Sequence, residues 1–216
     1  MRPGRLAAFA VGAALVTVLG AGLALYGTGR GGNGPDAAGP CAGAAAAIAR
    51  AAPHARGEVA AMQLLDTPKT ALDLVFKGPD GAETSLAALK GRALLVNLWA
   101  TWCAPCKAEM PALDRLEAEF GGPAFQVVAI NLDTRNLDRP PAWMRDNGIA
   151  RLAYYADPGG RVLPAVQRDT GSTGLPTTIL IDAGGCEIGV MKGPAEWSSE
   201  DAKRLIRAVL GSDAKS

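Results

Sequence analysis

Cys103 and Cys106 are the residues of this sequence whose type and spacing point most directly to chemistry. They follow the apolar run Ala93–Trp99, which is typical of a strand buried on both faces, and they precede a helical pattern. At a helix N-terminus the first N–H groups are unpaired and the dipole is positive, so a thiolate is stabilised and its pKa falls. The spacing also lets the second thiol close a disulfide with the first. The pair therefore predicts dithiol–disulfide exchange, with Cys103 as nucleophile and Cys106 as resolving thiol.

Metal binding is the main alternative use of this cysteine pair. A structural zinc site needs four ligands, and one Cys-x-x-Cys motif with a single histidine, His54, does not supply them. A Cu(I) site can use two thiolates, so a copper carrier stays open as a second hypothesis. The lone histidine also disfavours Ser-His-Asp hydrolysis. We predict neither a metal nor another cofactor.

The composition restricts the class of protein further. In 216 residues, 22 Lys and Arg stand against 21 Asp and Glu, which gives a net charge of +1. Nucleic-acid binders usually carry a basic excess, so we predict no nucleic-acid partner. Hydrophobic residues make up 49% and aromatic residues 5%, which fits one globular domain and one hydrophobic segment.

The N-terminal region predicts a membrane anchor over residues 6–27. This run of 22 residues carries no charge, and as a helix it would cover roughly 33 Å, enough to span a bilayer core. Arg2 and Arg5 favour a cytoplasmic N-terminus, residues 1–5. A cleaved signal peptide is the alternative, but its apolar region normally has only about 7–15 residues. Residues 28–40 are rich in Gly and Pro, which predicts a linker.

The rest of the chain alternates strand and helix patterns, which predicts an α/β domain with a mixed central sheet flanked by helices. This domain is assigned to residues 65–212, after an N-terminal helical extension over residues 41–64. Strands are predicted at 72–76, 82–84, 93–99, 125–131, 152–156, 177–182 and 187–192. Helices are predicted at 41–52, 85–89, 140–147 and 161–168. A further helix is predicted after Cys106, with a kink at Pro111, and a last one after a capping box that starts at Ser198.

The residues around the cysteine pair resemble a known family. The segment 97–107 (NLWATWCAPCK), with EMP at 109–111 and GLPT at 174–177, resembles the thioredoxin-like thiol-disulfide oxidoreductases over about residues 65–210. Further segments narrow the resemblance to the membrane-anchored TlpA family of alphaproteobacteria, namely GEVAA at 57–61, AINLDTR at 129–135, GCEI at 185–188 and GPAEW at 193–197. The resemblance implies a thioredoxin-like fold with an N-terminal extension and a central insertion, residues 134–168. It also implies a periplasmic domain held at the inner membrane by one transmembrane helix.

The resemblance implies roles for residues beyond the two cysteines. Pro176 matches the cis-proline that faces the active-site disulfide, and the backbone of Leu175 would pair with an extended client segment. Trp102 offers a flat apolar surface beside the sulfur. Asn97 stands where cytosolic thioredoxins carry a buried Asp, and it cannot ionise. Glu109 matches an acidic position that could manage the proton of the resolving thiol, although a solvated helix carboxylate is an equally good interpretation.

Cys41 and Cys186 remain, 145 positions apart. Outside the cytoplasm an even leftover pair favours a disulfide, while two free buried thiols or a second redox relay stay open. The resemblance carries both positions and implies a structural disulfide between the N-terminal helix and the sheet.

The predicted activity is protein-disulfide reduction outside the cytoplasm, with a membrane thiol reductase restoring the dithiol. The resemblance implies clients in cytochrome oxidase assembly, a Sco-type copper chaperone and the copper-binding oxidase subunit. A disulfide-forming oxidant of the same fold stays open, because the sequence does not fix the reduction potential. A peroxiredoxin is disfavoured, because Ala100 stands where a threonine is expected three residues before a peroxidatic cysteine.

Overall fold

The computed structural model of the protein describes residues 41–211. The predicted anchor, residues 6–27, and the predicted linker, residues 28–40, lie outside the described residues. Between residues 41 and 211, no helix combines the length and the apolar composition that crossing a membrane requires.

Five α-helices and eight strands are the main elements of residues 41–211, which also contain three short 3-10 helices at Ala52–His54, Gly57–Val59 and Ala87–Leu89. The helices are α1 (Ala44–Ala51), α2 (Ala104–Phe120), α3 (Arg139–Asp146), α4 (Val162–Thr170) and α5 (Glu200–Leu210). The strands are β1 (Met62–Thr70), β2 (Val75–Lys77), β3 (Glu83–Ser85), β4 (Ala93–Trp99), β5 (Phe125–Asn131), β6 (Tyr155–Ala156), β7 (Thr177–Ile181) and β8 (Cys186–Lys192). They form one sheet in the order β1-β8-β7-β4-β5-β6-β2-β3.

The sheet is mixed, and its register determines which loops meet. β4 runs parallel to β5 and antiparallel to β7, and β7 runs antiparallel to β8. Trp99 pairs with Asn131, and Thr177 pairs with both Leu98 and Lys192. The segments that follow β4, β5 and β8 therefore meet the segment that precedes β7 at one edge of the sheet. We call this edge, formed by those four segments, the upper edge.

Helices cover both faces of the sheet. One face packs against α1, α2 and α5, with Trp99 and Leu113 fully buried. The other face packs against α4, with Val96 of β4 and Val166 of α4 fully buried. Every residue of β4 is buried, as expected for a central apolar strand, so this strand gives the cysteine pair that follows it a rigid support.

Strand β1 is a difference from the sequence prediction, which placed no strand at Met62–Thr70. This strand lies at the edge of the sheet, where it pairs only with β8, and its register shifts between Leu64 and Lys69. Pro68 lies within the shifted stretch, and proline is tolerated at edges and bulges because no ladder N–H is needed there. An irregular edge strand shows weak alternation, which explains why the pattern did not predict it.

The start of α5 also differs from its prediction. The N-cap is Ser199, whose hydroxyl accepts a hydrogen bond from the N–H of Ala202 at 3.2 Å, and not Ser198. Ser198 hydrogen-bonds with Glu196 instead, so α5 begins one residue later than the capping box predicts. Helix α2 continues through Pro111 up to Phe120.

Candidate functional site

Cys103 and Cys106 lie at the upper edge, between β4 and α2, and are joined by a disulfide with a Cα–Cα distance of 5.3 Å. Cys103 is the N-cap of α2, and its Sγ accepts a hydrogen bond from the backbone N–H of Cys106 at 3.2 Å. Pro105 occupies the first turn, where its missing N–H costs nothing. Cys103 keeps 6% of its surface exposed and Cys106 keeps none. Another molecule can therefore reach the disulfide only through Cys103.

Pro176 lies at the same edge, directly before β7, and its peptide bond with Leu175 is cis. The next residue, Thr177, pairs with Leu98 near the end of β4. The carbonyl of Pro176 accepts a hydrogen bond from the N–H of Gly193 at 2.9 Å, which ties this turn to the segment after β8. Leu175 is half-buried. The fold thus brings Leu175 and Pro176 to the edge that carries the cysteine pair.

Glu109 is buried in α2 at 4% exposure, so the interpretation as a solvated carboxylate is wrong. Its carboxylate accepts hydrogen bonds from the Asn97 side-chain amide at 2.8 Å, the Ala195 backbone N–H at 3.0 Å and the Trp197 indole at 3.1 Å. Burial raises the pKa of Glu109 to about 7, although the three donors offset part of this effect. A carboxyl group with this pKa can take up and release a proton near neutral pH.

Asn97 connects Glu109 to the sheet. Its side-chain amide also donates to the hydroxyl of Thr178 at 2.9 Å, across the β4–β7 pair in which the two residues are opposite. Its Oδ1 has no hydrogen-bond partner among residues 41–211. Because Asn97 cannot ionise, Glu109 is the ionisable group of this network.

Ala195 and Trp197 are site residues that the sequence analysis did not identify. They follow β8, far from α2 along the chain, and only the strand order brings them to the upper edge. The antiparallel pairing of β7 and β8 could have indicated this, because the end of β8 must then lie beside the start of β7.

Trp102 projects from the upper edge and is 67% exposed. The preceding residue, Thr101, donates both its backbone N–H and its hydroxyl to the carboxylate of Asp133, at 2.9 and 2.8 Å. Asn131 donates to the same carboxylate at 2.8 Å. The segment after β5 thus fixes the backbone just before the cysteine pair. Asp133 was not identified from the sequence, although parallel strands β4 and β5 must end at the same edge.

Cys41 and Cys186 form a second disulfide, with a Cα–Cα distance of 5.7 Å. Both residues are buried. Cys41 precedes α1 and Cys186 is the first residue of β8, so the bond joins the N-terminal helix to the sheet. The other end of β8, at Lys192, belongs to the upper edge. The two disulfides therefore lie at opposite ends of the sheet.

The free energy of unfolding of the wild type is expected to fall as the pH rises, and the substitution Glu109→Gln should remove the part of this fall that Glu109 causes. The pKa of Glu109 is raised in the folded protein from its ordinary value of 4.5 to about 7, so between these values the folded protein binds more protons than the unfolded chain. The stabilising effect is complete below about pH 4.5 and is lost as the pH rises through about 7. The free energy of unfolding is measured with urea at about pH 5 and at about pH 8. Its decrease between these two pH values should be roughly 1–3 kcal/mol larger in the wild type than in the variant.

The wild type and the Glu109→Gln variant must be compared because a second buried carboxyl group, that of Glu187, also titrates in this pH range. Burial also raises the pKa of Glu187 to about 7, with Lys69 acting against this shift, so both proteins retain a pH-dependent contribution from Glu187. The same exchange at the exposed Glu58 serves as the control and should leave the pH dependence of the wild type unchanged. Equal falls in the wild type and the Glu109→Gln variant would contradict the raised pKa of Glu109.

Comparison with known proteins supports the fold and the chemistry of the site. The family model "AhpC/TSA family" matches residues 68–186. A solved structure of a thiol:disulfide interchange protein DsbE from Chlorobium tepidum is 30% identical, with a TM-score of 0.58, and the match covers 68% of this chain and 99% of that one. The fold is therefore thioredoxin-like α/β, as predicted.

Two curated relatives are thiol-disulfide oxidoreductases named ResA. The protein of Oceanobacillus iheyensis is 39% identical over 70 residues, which is 32% of this chain and only 36% of that relative. The protein of Bacillus thuringiensis subsp. konkukian is 25% identical over 145 residues, which is 67% of this chain and 79% of that relative. The first match spans little more than a third of the relative's length, and the second spans most of it.

Proposed function

The chain belongs to the AhpC/TSA family, and its similarity to ResA and DsbE proteins supports thiol-disulfide oxidoreductase activity; we propose that it acts as a protein-disulfide reductase outside the cytoplasm. The observation that carries this proposal is the Cys103–Cys106 disulfide at the N-terminus of α2. Its outer sulfur is reachable and its inner sulfur is buried, which suits a two-step exchange through a mixed disulfide.

In the proposed reaction the thiolate of Cys103 attacks one sulfur of a client disulfide. The other client sulfur leaves as a thiolate and takes up a proton, while Cys103 becomes bonded to the client. Cys106 then loses its proton and attacks the Sγ of Cys103, which releases the second client sulfur as a thiolate. Two electrons pass from the dithiol to the client, and the Cys103–Cys106 disulfide remains.

Glu109 is proposed to manage the proton of Cys106. The two residues lie three positions apart on α2, which places them on neighbouring turns of one helix face, and both are buried. A carboxyl group whose pKa is raised to about 7 is suited to accept the thiol proton during attack and to return it later. Asn97 and Trp197 act as positioning residues, since each donates a hydrogen bond to this carboxylate.

The client segment is proposed to lie across the upper edge, between two features. The backbone of Leu175, next to the cis bond of Pro176, would pair with the extended segment. The exposed ring of Trp102 would cover its other side. Trp102 directly precedes the reachable Cys103, and Leu175 lies at the same edge of the sheet, which suits recognition of a disulfide within an extended stretch of chain.

The finer assignment is to the TlpA type, with the domain in the periplasm and residues 6–27 as its anchor in the inner membrane. The buried Cys41–Cys186 disulfide supports an oxidising compartment, because such bonds are rare in the cytoplasm. We assign the clients to copper-site assembly of cytochrome oxidase, a Sco-type chaperone and the copper-binding subunit. Cysteines that bind copper must first be reduced, and a membrane thiol reductase would supply the electrons.

The reduction potential of the Cys103–Cys106 pair tests the direction of exchange. Equilibration of the protein against dithiothreitol and glutathione buffers should give a value near −270 mV, roughly that of thioredoxin. A value near roughly −120 mV would make the protein an oxidant and contradict the proposal. Stoichiometric Cu(I) binding without disulfide turnover would favour a copper carrier instead. That carrier would depend on two thiols, because residues 41–211 contain no group of three or more metal-ligating His, Cys, Asp or Glu side chains.

A further inference from the structure

A cleft beside Trp102 lies at the upper edge and takes no part in the exchange chemistry described above. Its volume is about 240 Å³. It is bounded on one side by the segment that precedes the cysteine pair and on the other by the segment after β5. Its lining residues are Thr101, Trp102, Asp133, Thr134, Arg135, Asn136 and Arg139. The cleft therefore adjoins the two residues that directly precede Cys103.

The surface around this cleft is unusual in its exposed apolar side chains. Across residues 41–211 only two large hydrophobic residues are exposed, Trp102 at 67% and Leu137 at 45%. Leu137 belongs to the same segment after β5 that lines the cleft. Large apolar side chains left in water near a reaction centre are typical of a surface that a partner covers.

The charge of the cleft is positive at its exposed positions. Arg135 and Arg139 are both exposed, and neither forms an ion pair with any residue in the described range 41–211. The one carboxylate of the lining, Asp133, is buried and accepts hydrogen bonds from Thr101 and Asn131. Asp133 is therefore not free to pair with the two guanidinium groups.

We propose that this cleft binds an acidic residue of the client, next to the cysteine that Cys103 attacks. The guanidinium groups of Arg135 and Arg139 pair with the client carboxylate, and Trp102 and Leu137 cover the apolar side chains that flank it. The inference rests on the proposed reductase function and specifies its clients as disulfide segments that are acidic and apolar. Association with such clients is faster because opposite charges attract them to this edge.

The test uses three synthetic peptides that each contain one intramolecular disulfide. The first has a glutamate on each side of the disulfide, and its two sister peptides have glutamine or lysine at these positions. The second-order rate constant for oxidation of the reduced full-length protein is measured with each peptide and with the neutral bis(2-hydroxyethyl) disulfide. At low ionic strength we expect the glutamate peptide to react roughly three- to tenfold faster than the glutamine peptide, and the lysine peptide to be slowest. About 0.5 M salt should remove most of this preference.

Substitutions then locate the preference on the protein. The double variant Arg135→Gln with Arg139→Gln should bring the ratio between the glutamate and glutamine peptides close to one. Its rate with bis(2-hydroxyethyl) disulfide should equal that of the wild type, because neither arginine takes part in the exchange. The matched control is the pair Arg145→Gln with Arg151→Gln, which removes the same two positive charges from exposed positions outside the cleft and should keep the preference.

The outcomes separate this inference from the proposed function. Equal rates with the three peptides, or a preference that survives in Arg135→Gln with Arg139→Gln, would overturn the acidic docking site, while reduction of the neutral disulfide would still support the reductase. If the neutral disulfide is not reduced either, the proposed function fails and the docking site fails with it. A preference that Arg145→Gln with Arg151→Gln also removes would show an effect of overall charge and would likewise overturn the cleft as its location.

Discussion

Cys103→Ser is expected to lower the rate of protein-disulfide reduction by about a thousandfold or more, because a serine hydroxyl cannot supply the thiolate that begins the exchange. Cys103 is the half of the pair with exposed surface, and it lies at the N-terminus of α2, where the helix dipole favours a thiolate. The measurement is the rate of client reduction with the protein in its reduced form. Ala108→Ser places the same hydroxyl at an exposed position of α2 outside the motif, and this control should retain the wild-type rate.

Cys106→Ser should give a different result, because it blocks only the second step. The variant can still attack a client disulfide through Cys103, but nothing then releases the client, so a covalent complex accumulates. Non-reducing electrophoresis should show this complex with Cys106→Ser and not with Cys103→Ser. A complex that forms with Cys103→Ser instead would reverse the two roles and would contradict the argument from exposure.

The chemistry of the pair could be predicted from the sequence because its causes are local. A buried strand, two cysteines separated by two residues and a helix follow one another directly, and the structure has them at Ala93–Trp99 and Ala104–Phe120. The surroundings of Glu109 could not be predicted in the same way. A position on α2 does not reveal that the segment after β8 covers this helix and supplies two of the three hydrogen bonds to Glu109.

Long-range pairing explains the remaining differences. The segment after β5 lies beside the cysteine pair only because β4 and β5 are parallel neighbours. Neither segment alone has a sequence pattern that predicts the hydrogen bond between Thr101 and Asp133. Strand β1 was missed for a related reason, since its pairing with β8 holds an irregular segment that shows no clear alternation. The family resemblance predicted that Pro176 belongs to the site. The hydrophobic pattern could not, because a proline in any turn gives the same signal.

The paired exchange Cys41→Ala with Cys186→Ala is expected to lower the free energy of unfolding by up to about 5 kcal/mol, since on the chain-entropy model a bond across 145 positions strongly restricts the unfolded chain. The matched control is Cys103→Ala with Cys106→Ala, which removes a disulfide across only 3 positions. The same model gives a loss of about 2 kcal/mol for this short loop. Urea unfolding of the oxidised wild type and both double variants measures the difference.

Activity in the first double variant decides between the roles left open for Cys41 and Cys186. The two residues are buried at the end of the sheet opposite the cysteine pair, so the folded variant should still reduce clients at the wild-type rate below its unfolding transition. If the folded variant lost this activity, the second disulfide would be part of a redox relay rather than a structural bond. Equal losses of stability in the two double variants would show that loop length does not determine the contribution of the bond. If Cys41→Ala with Cys186→Ala greatly lowers the free energy of unfolding but leaves client reduction unchanged, then the Cys41–Cys186 disulfide is structural. The redox chemistry then belongs to Cys103–Cys106 alone, because activity does not depend on the other bond.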